Sequence, residues 1–361
     1  MKTAFLCFFP VFPTNMGSAE VVRSLFLCWP GNKKLFQISH LKNTKKNNKF
    51  ENIKILYEKP IFKIFVLPIL IFKCLKYLND SRKKLVIIEG PSWIGYSFIS
   101  LIALKIFSPK TKIIYHSHSI EYEVRKMMSS KLTANITKKL ESFVFKNSNV
   151  ATSVSNIEKN KIQKLYGVKC IELKNGVSKK ILKFKKVKNF KFKYIIYSGS
   201  YRYLPNKLAI DFLVNKLMPK LIKKIPDLKL VLTGGGYNKK NEFTVNVGIV
   251  SKQRLLNLIT NSKMMVIPLD KGTGTRIKII EALLTGAKIL TTKKGIEGIL
   301  INRNSAVHIT NKKNFYKFLL TNLNKKYKNK ISRKFSNIYI MEQIVKEFLG
   351  NKYVKNIIKK I

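Results

Sequence analysis

The sequence predicts an α/β protein made of two successive doubly wound parallel-sheet domains that face each other across a cleft. Three observations predict it. Short β-branched runs alternate with helically spaced apolar stretches. The alternation restarts after a lysine-rich stretch near the middle of the chain. The 361 residues, 45% of them hydrophobic, suffice for two cores, since a domain usually takes ~100–200 residues.

In the first domain, residues 1–184, the runs Thr3–Phe9, Leu85–Glu89, Lys112–His116 and Asn149–Val154 read as buried strands. Ala19–Cys28, Gly95–Phe107 and Thr133–Phe145 have helical apolar spacing. Strands that alternate with helices in this way form parallel sheets covered on both faces. Lys185–Lys193 (KKVKNFKFK) has little core character and reads as a linker. The second domain, residues 194–335, repeats the pattern. Its strands are Tyr194–Ser198, Leu228–Thr233, Met264–Pro268 and Lys288–Thr292; its helices are Lys207–Lys224, Ser251–Thr260 and Arg276–Thr285. The tail, Ser336–Ile361, is helical and partly amphipathic, and either packs on the first domain or forms a solvated basic helix. Open parallel sheets bind ligands beyond the carboxyl ends of their strands. An interdomain site is therefore expected.

Charge and cysteine content narrow the function classes. The 71 Lys and Arg against 18 Asp and Glu give a net charge of +53. Such a field attracts polyanions. Yet 63 of the basic residues are Lys and only eight are Arg, spread evenly among Asn, Ile, Phe and Tyr. A compositional bias explains most of that excess, and no specific nucleic-acid motif accompanies it. Cys7, Cys28, Cys74 and Cys170 are far apart, which supports neither a zinc ribbon nor a disulfide framework and fits a reducing compartment. The most apolar run, Ile64–Phe72, is interrupted by Pro68 and flanked by lysines, whereas a membrane-spanning helix needs ~20 apolar residues. Ala4–Pro13 reads as a buried first strand in preference to a signal peptide. A cytoplasmic location follows, with contact to the inner membrane face as an option.

The most informative segment is Pro268–Gly298, PLDKGTGTRIKIIEALLTGAKILTTKKGIEG. It leaves a strand, passes Gly272 and Gly274, and enters a helix near Thr275 that closes at Gly286. The two glycines permit close approach of backbone to a bulky anion. The helix start offers unpaired N–H groups and positive dipole. Arg276 and Lys278 place two cations in the first turn, against the dipole preference, which an anion at that point would compensate. Glu281 follows one turn later, where a carboxylate can accept from a vicinal diol such as ribose. Each piece alone is ordinary: a surface cation, a salt-bridging glutamate, a G-x-G turn. Together they describe a site for a nucleoside diphosphate carrying a sugar.

That segment resembles the signature of the retaining GT-B glycosyltransferases of family 4, the group 1 glycosyltransferases. Their pattern, roughly G-x-G-x-R-x-K-x-x-E-A-x-x-x-G followed by an E-G pair, is met by Gly272, Gly274, Arg276, Lys278, Glu281, Ala282, Gly286 and Glu297-Gly298. Further blocks are similar along most of the chain. These are YSGSYRYLPN at 197–206, VLTGG at 231–235, VGIV at 247–250, Asn175-Gly176-Val177, HSHSIE at 116–121 and PTNMGSAE at 13–20. The resemblance implies two Rossmann-like domains and transfer of a sugar from a nucleotide-diphosphate donor to a glycan or lipid-linked acceptor, in envelope polysaccharide or lipopolysaccharide synthesis. It implies no cofactor and no metal.

By position, Glu281 would hold the donor ribose, and Arg276 and Lys278 would neutralise the diphosphate as charge builds on it. Gly199, Arg202, Gly234, Val250, Gly272, Thr273, Gly274 and Thr275 complete the implied donor site. Gly17 would approach the diphosphate from the first domain, although Ser18 replaces the usual second glycine. His118 matches the family histidine beside the reacting sugar. Alternation sets His116 on the same side as His118 if the strand continues, and Glu121 could orient an imidazole or cap the next helix. Two departures stand out. Thr273 occupies the place of a frequent first glutamate, so the backbone N–H groups of Gly274 and Thr275 are the expected substitutes. The usual Arg–Lys pair early in the second domain is replaced by Ser200 and Asn206, with Arg202 nearby.

Two other readings compete: a polyanion- or nucleic-acid-binding protein using the same shell, and a non-transferase of this fold such as a sugar-nucleotide epimerase. Ile61–Leu78 mixes apolar residues with Lys63, Lys73 and Lys76. It reads either as a core helix or as a segment laid on an anionic membrane.

Overall fold

The structure is a computed structural model that describes residues 1–13, 17–40, 48–57, 59–187, 190–301, 306–325 and 333–359. Thr14–Met16 of the glycine-containing loop and residues 188–189 of the expected linker lie outside the described residues. The chain divides into two compact units. The first holds residues 1–178, 273–275 and 339–361; the second holds 179–272 and 276–338.

The first unit begins with β1 (Lys2–Cys7), α1 (Gly17–Cys28), β2 (Asn32–Ser39), β3 (Phe50–Lys54) and α2 (Pro60–Asn79). It continues with β4 (Lys84–Glu89), α3 (Ile94–Phe107), β5 (Lys112–His116), α4 (Glu121–Met128), α5 (Lys131–Asn147), β6 (Val150–Ser153), α6 (Asn156–Tyr166) and β7 (Ile171–Glu172). All seven strands are parallel, in the order β3-β2-β1-β4-β5-β6-β7. After their first residue β1 and β4 are buried on both faces, which is why they read as unbroken apolar runs. Ser130 and Ser155 cap α5 and α6 by accepting from the N–H three residues on.

The second unit repeats the winding. Its elements are β8 (Tyr194–Ser198), α7 (Leu204–Phe212), α8 (Met218–Ile222), β9 (Lys229–Thr233), β10 (Thr244–Asn246), α9 (Lys252–Asn261), β11 (Met264–Ile267), α10 (Ile277–Leu284), β12 (Ile289–Thr291), β13 (Val307–Ile309), α11 (Phe315–Asn322) and α12 (Arg333–Asn337). Its six parallel strands run β10-β9-β8-β11-β12-β13. The single helix expected over 207–224 is instead α7, a π-helical turn at Leu213–Leu217, and α8. Pro219 has no N–H to donate, so the regular ladder cannot run through it.

The chain ends in α13 (Met341–Gly350) and α14 (Lys352–Lys359), which count with the first unit. Val177 and Met341 exchange backbone bonds with Tyr339 and Val177 at 2.9 and 3.0 Å, Phe348 packs on Trp29, and Tyr353 donates to the Asn149 carbonyl.

Helix α2 has two apolar faces. Leu67, Leu70, Ile71, Cys74 and Leu78 are buried, while Ile61, Phe65, Ile69 and Phe72 are exposed, Phe65 by 72% and Phe72 by 66%. Among the described residues no helix is long and apolar enough to cross a membrane. All four cysteines are free.

Candidate active site

A doubly wound sheet reverses its strand order at one point, and ligands bind beyond the carboxyl ends there. In the second unit that point lies between β8 and β11. The segments that leave these two strands are Gly199–Tyr203 and Pro268–Arg276, which carry two of the glycine blocks singled out in the sequence.

The glycine turns after β8 and β9 touch through their backbones. Gly199 N–H donates to the Thr233 carbonyl and Gly234 N–H to that of Gly248, each at 2.8 Å. Gly234 has φ +108°, and a Cβ on it would lie 2.6 Å from the Gly199 carbonyl. Only glycine satisfies both demands. Asn206 lies over Gly199, accepts from the Tyr197 hydroxyl at 2.8 Å and donates to the Ser200 carbonyl at 3.0 Å. The residues that replace the family's early cationic pair therefore brace this turn.

In the 268–276 loop Gly272 has φ +121°, and a Cβ there would fall 2.8 Å from Arg276 Nη2. The guanidinium thus lies against the glycine. Arg276 caps α10 in extended conformation, one residue beyond the expected helix start. Lys278 donates to the Ser198 carbonyl at the end of β8, at 2.6 Å. Burial, with Lys252 and Arg276 adding repulsion, lowers its ammonium to about 8 although Glu281 pulls the other way. Glu281 is 1% exposed and ion-paired with Lys252. Lys278 thus lies among two further cations and one buried carboxylate, a set suited to an anionic ligand that also carries hydroxyls. Lys252 was not found from the sequence, because one lysine among 63 carries no signal.

Thr273–Thr275 count with the first unit. Gly274 N–H donates to Glu158 Oε1 at 2.9 Å, and Asn175 Nδ2 donates to Thr275 Oγ1 at 2.6 Å. This corrects the expectation that the Gly274 N–H substitutes for the missing glutamate toward a sugar, since that donor is already engaged. Asn175, the first residue of the N-G-V block, instead holds the Thr275 side chain.

At the carboxyl edge of the first sheet, Glu89 ends β4 and is in register with His116 at the end of β5. Glu89 Oε2 lies 2.8 Å from His116 Nδ1 and 2.9 Å from His118 Nε2. The two rings reach the same carboxylate. Against the effect of full burial, electrostatic attraction and a hydrogen bond from His116, then the same from His118, hold Glu89 down at about 2. Burial and the neighbouring His116 lower His118 to about 4. Glu121, read as either orienting an imidazole or capping the next helix, is the first residue of α4, after the N-cap Ile120, and pairs with Arg125 at 2.6 Å. The ring-orienting carboxylate is Glu89, which the sequence reading missed. Its one signal is an acidic residue closing the otherwise apolar run LVIIE. Among the described residues Glu89, His116 and His118 are the group whose donor atoms lie near enough, within 4.8 Å of one another, to hold a metal. The 2.8 and 2.9 Å separations from one oxygen are hydrogen-bond distances.

Gly17 opens α1, Arg202 is exposed beside Gly236, and Val250 is partly exposed just before α9. A cavity of about 330 Å³ in the second unit, lined by Pro205, Phe212, Asp270 and Lys271 among others, contains neither Arg276 nor Glu281.

Residues 192–324 match the model of the family described as glycosyl transferases group 1. The match lies within the second half of the chain and takes in most of the second unit. The loop with Gly272, Arg276, Lys278 and Glu281 lies inside the matched residues. Among curated proteins, an "uncharacterized 44.6 kDa protein in cps region" of Klebsiella pneumoniae is 25% identical over 122 residues, 30% of this chain. The matched part spans only 31% of that relative's length. Among solved structures, a glycosyltransferase from Rickettsia africae aligns with TM-score 0.64 at 13% identity, covering 99% of this chain and 98% of that one. The UDP-GlcNAc 2-epimerase of Methanocaldococcus jannaschii aligns with TM-score 0.57 at 13% identity, covering 97% and 100%. The two parallel-sheet domains have the GT-B fold.

Proposed function

We propose that this chain is a glycosyltransferase. It moves a sugar from a nucleoside-diphosphate donor to a glycan or lipid-linked acceptor in the synthesis of an envelope polysaccharide, with retention of configuration and without a metal. The observation that carries the reading is the placement of the G-T-G-T-R-I-K-x-x-E loop and helix at the β8/β11 reversal, inside the residues that match the group 1 model. The capsule-region relative agrees with a polysaccharide product.

In this reading Arg276 and Lys278 meet the diphosphate, and the N-terminus of α10 adds its dipole. As the glycosidic bond to the anomeric carbon breaks, charge accumulates on the leaving diphosphate, and preorganised cations stabilise it. Glu281 accepts from the ribose hydroxyls, with Lys252 moving aside. Gly17, Gly199, Arg202, Gly234, Val250, Gly272 and Thr273–Thr275 shape the donor site, and His118 contacts the reacting sugar. The enzyme works in the cytoplasm. It docks on the anionic inner membrane face through the exposed side of α2, where lysines flank Phe65, Ile69 and Phe72.

A panel of nucleotide sugars tests this reading, with free nucleoside diphosphate followed in the presence and absence of glycan and lipid-linked acceptors. Acceptor-dependent release supports transfer. Because an epimerase shares the fold, an epimerised nucleotide sugar formed without any acceptor would replace the reading by that one. Neither release nor epimerisation with any donor would remove both.

A further inference from the structure

Glu89 is a fully buried carboxylate, and among the described residues no Lys or Arg is paired with it. A buried charge without a cation is costly unless it is hydrogen-bonded. Here its Oε2 is met by two imidazoles, while its Oε1 and the His116 Nε2 are buried with no hydrogen-bond partner. The strand end is built tightly around the group. Gly90 N–H donates to the His116 carbonyl at 2.9 Å, and a Cβ on Gly90 would lie 2.9 Å from that same oxygen. The two strand ends therefore keep this spacing.

The chemistry of the partners then decides where the ring protons sit. An ionised carboxylate only accepts. Both nitrogens that face it must carry hydrogen: Nδ1 of His116 and Nε2 of His118. A neutral imidazole protonated at Nε2 has its lone pair on Nδ1. His118 makes no second hydrogen bond among the described residues. Its Nδ1 is thus left as an acceptor.

We propose that Glu89 is a positioning residue that fixes His118 as the Nε2–H tautomer, so that its Nδ1 accepts a hydrogen bond from a sugar hydroxyl. The hydroxyl-bearing ligand rests on the glycosyltransferase reading above; the tautomer rests only on the hydrogen bonds. His116 shares the carboxylate and steadies it, and its own Nε2 is buried, so His118 is the ring that serves a ligand.

The experiment is long-range proton–nitrogen NMR of the full chain labelled with ¹⁵N-histidine. The chain has four histidines, and single His→Asn variants assign them. At pH 7 the wild-type protein should show His118 neutral, with Nε2 protonated and Nδ1 bare. Glu89→Leu removes the oxygen that both rings share, so His118 should lose its fixed form and populate both neutral tautomers. Glu89→Asp, which keeps the charge, should preserve the wild-type form of both rings. With an established donor and acceptor, Glu89→Leu should lower turnover at least tenfold with the donor KM within twofold, and Glu89→Asp should keep part of the rate.

An Nδ1–H or doubly protonated His118 in the wild type would overturn the proposal, and that measurement needs no variant to fold. So would an unchanged, single tautomer of His118 in a folded Glu89→Leu, or a stoichiometric divalent metal removed by chelator with loss of the histidine signals. If the tautomer is as stated but no donor and acceptor react, Glu89 keeps its role and the glycosyltransferase reading fails instead.

Discussion

Lys252 and Glu281 are ion-paired in the second unit, with the Glu281 side chain 1% exposed and that of Lys252 39% exposed. The sequence picks out Glu281 by its distance from Arg276; the lysine that engages it comes from a different helix, α9. Breaking a buried pair costs several kcal/mol and an exposed pair almost nothing. With one partner half in water, Lys252→Met should therefore destabilise the fold by about 1–2 kcal/mol. Donor affinity should stay within tenfold of wild type in that variant, because Lys252 must leave Glu281 for a ribose to enter. Glu281→Ala should instead remove donor binding while the protein stays folded. Thermal melts and titration calorimetry read both effects.

Lys278 gives the donor site a pH dependence. Its ammonium is lowered to about 8, chiefly by burial. Its positive charge, and with it donor affinity, should decline as pH rises through that value. Bound diphosphate favours the charged form, so saturating donor should shift the midpoint upward. Lys278→Arg should flatten the profile, since arginine stays charged. The stability effect has the opposite sign. The unfolded chain holds this proton up to about 10.5 and the folded chain only to about 8. Stability from this group therefore rises with pH across that interval. Calorimetric Kd values between pH 6.5 and 9.5 test the first expectation, and melts over the upper interval test the second.

Gly272 couples backbone conformation to the position of Arg276. An alanine there must adopt φ near +121° and also displace the guanidinium 2.8 Å away. Gly272→Ala should cost about 1–3 kcal/mol in stability and lower donor affinity at least tenfold. Gly234→Ala should destabilise more, because its Cβ meets the backbone of Gly199, not the end of a flexible side chain. Urea titrations of both variants give the ranking.

The buried Glu89–histidine cluster should make the first unit acid-sensitive. The Glu89 carboxyl lies at about 2 when folded, against 4.5 as its ordinary value, so its contribution is present above 4.5 and fades as pH falls toward 2. His118 is lowered from 6.5 to about 4, so the unfolded chain takes up that proton first and stability falls as pH drops from 6.5 to 4. His118→Asn should lose less Tm between pH 7 and pH 4.5 than the wild type does.

The exposed face of α2 should bind anionic vesicles. Replacing Phe65, Ile69 and Phe72 by Ser should abolish co-sedimentation with phosphatidylserine vesicles at low salt. Removing Lys63 and Lys76 should weaken it by ~1 kcal/mol per charge. Equal binding by all variants would refute a role for this helix.

Much of the fold is legible in the sequence, because the inner strands of both sheets are buried on both faces and so appear as short apolar runs. The edge strands β3, β7, β10 and β13 are not, since their residues are only partly buried and polar residues interrupt them. Strand β2 was hidden by the lysines in NKKLFQIS, although it is central and mostly buried. The candidate site divides the same way. Gly272, Arg276, Lys278 and Glu281 are close in sequence, so their spacing carries the signal. Glu89 and Lys252 act on residues 27 and 29 positions away, and only the sheet register or the packing of α9 against α10 reveals the pairing.

Titration calorimetry with a panel of nucleotide sugars, on the wild-type chain and on Arg276→Ala, tests the central claim most directly. At least one donor should bind the wild type, and its affinity should fall at least tenfold when the guanidinium is removed. A donor bound equally well by both proteins would contradict the assignment of the Gly272–Glu281 segment to the diphosphate.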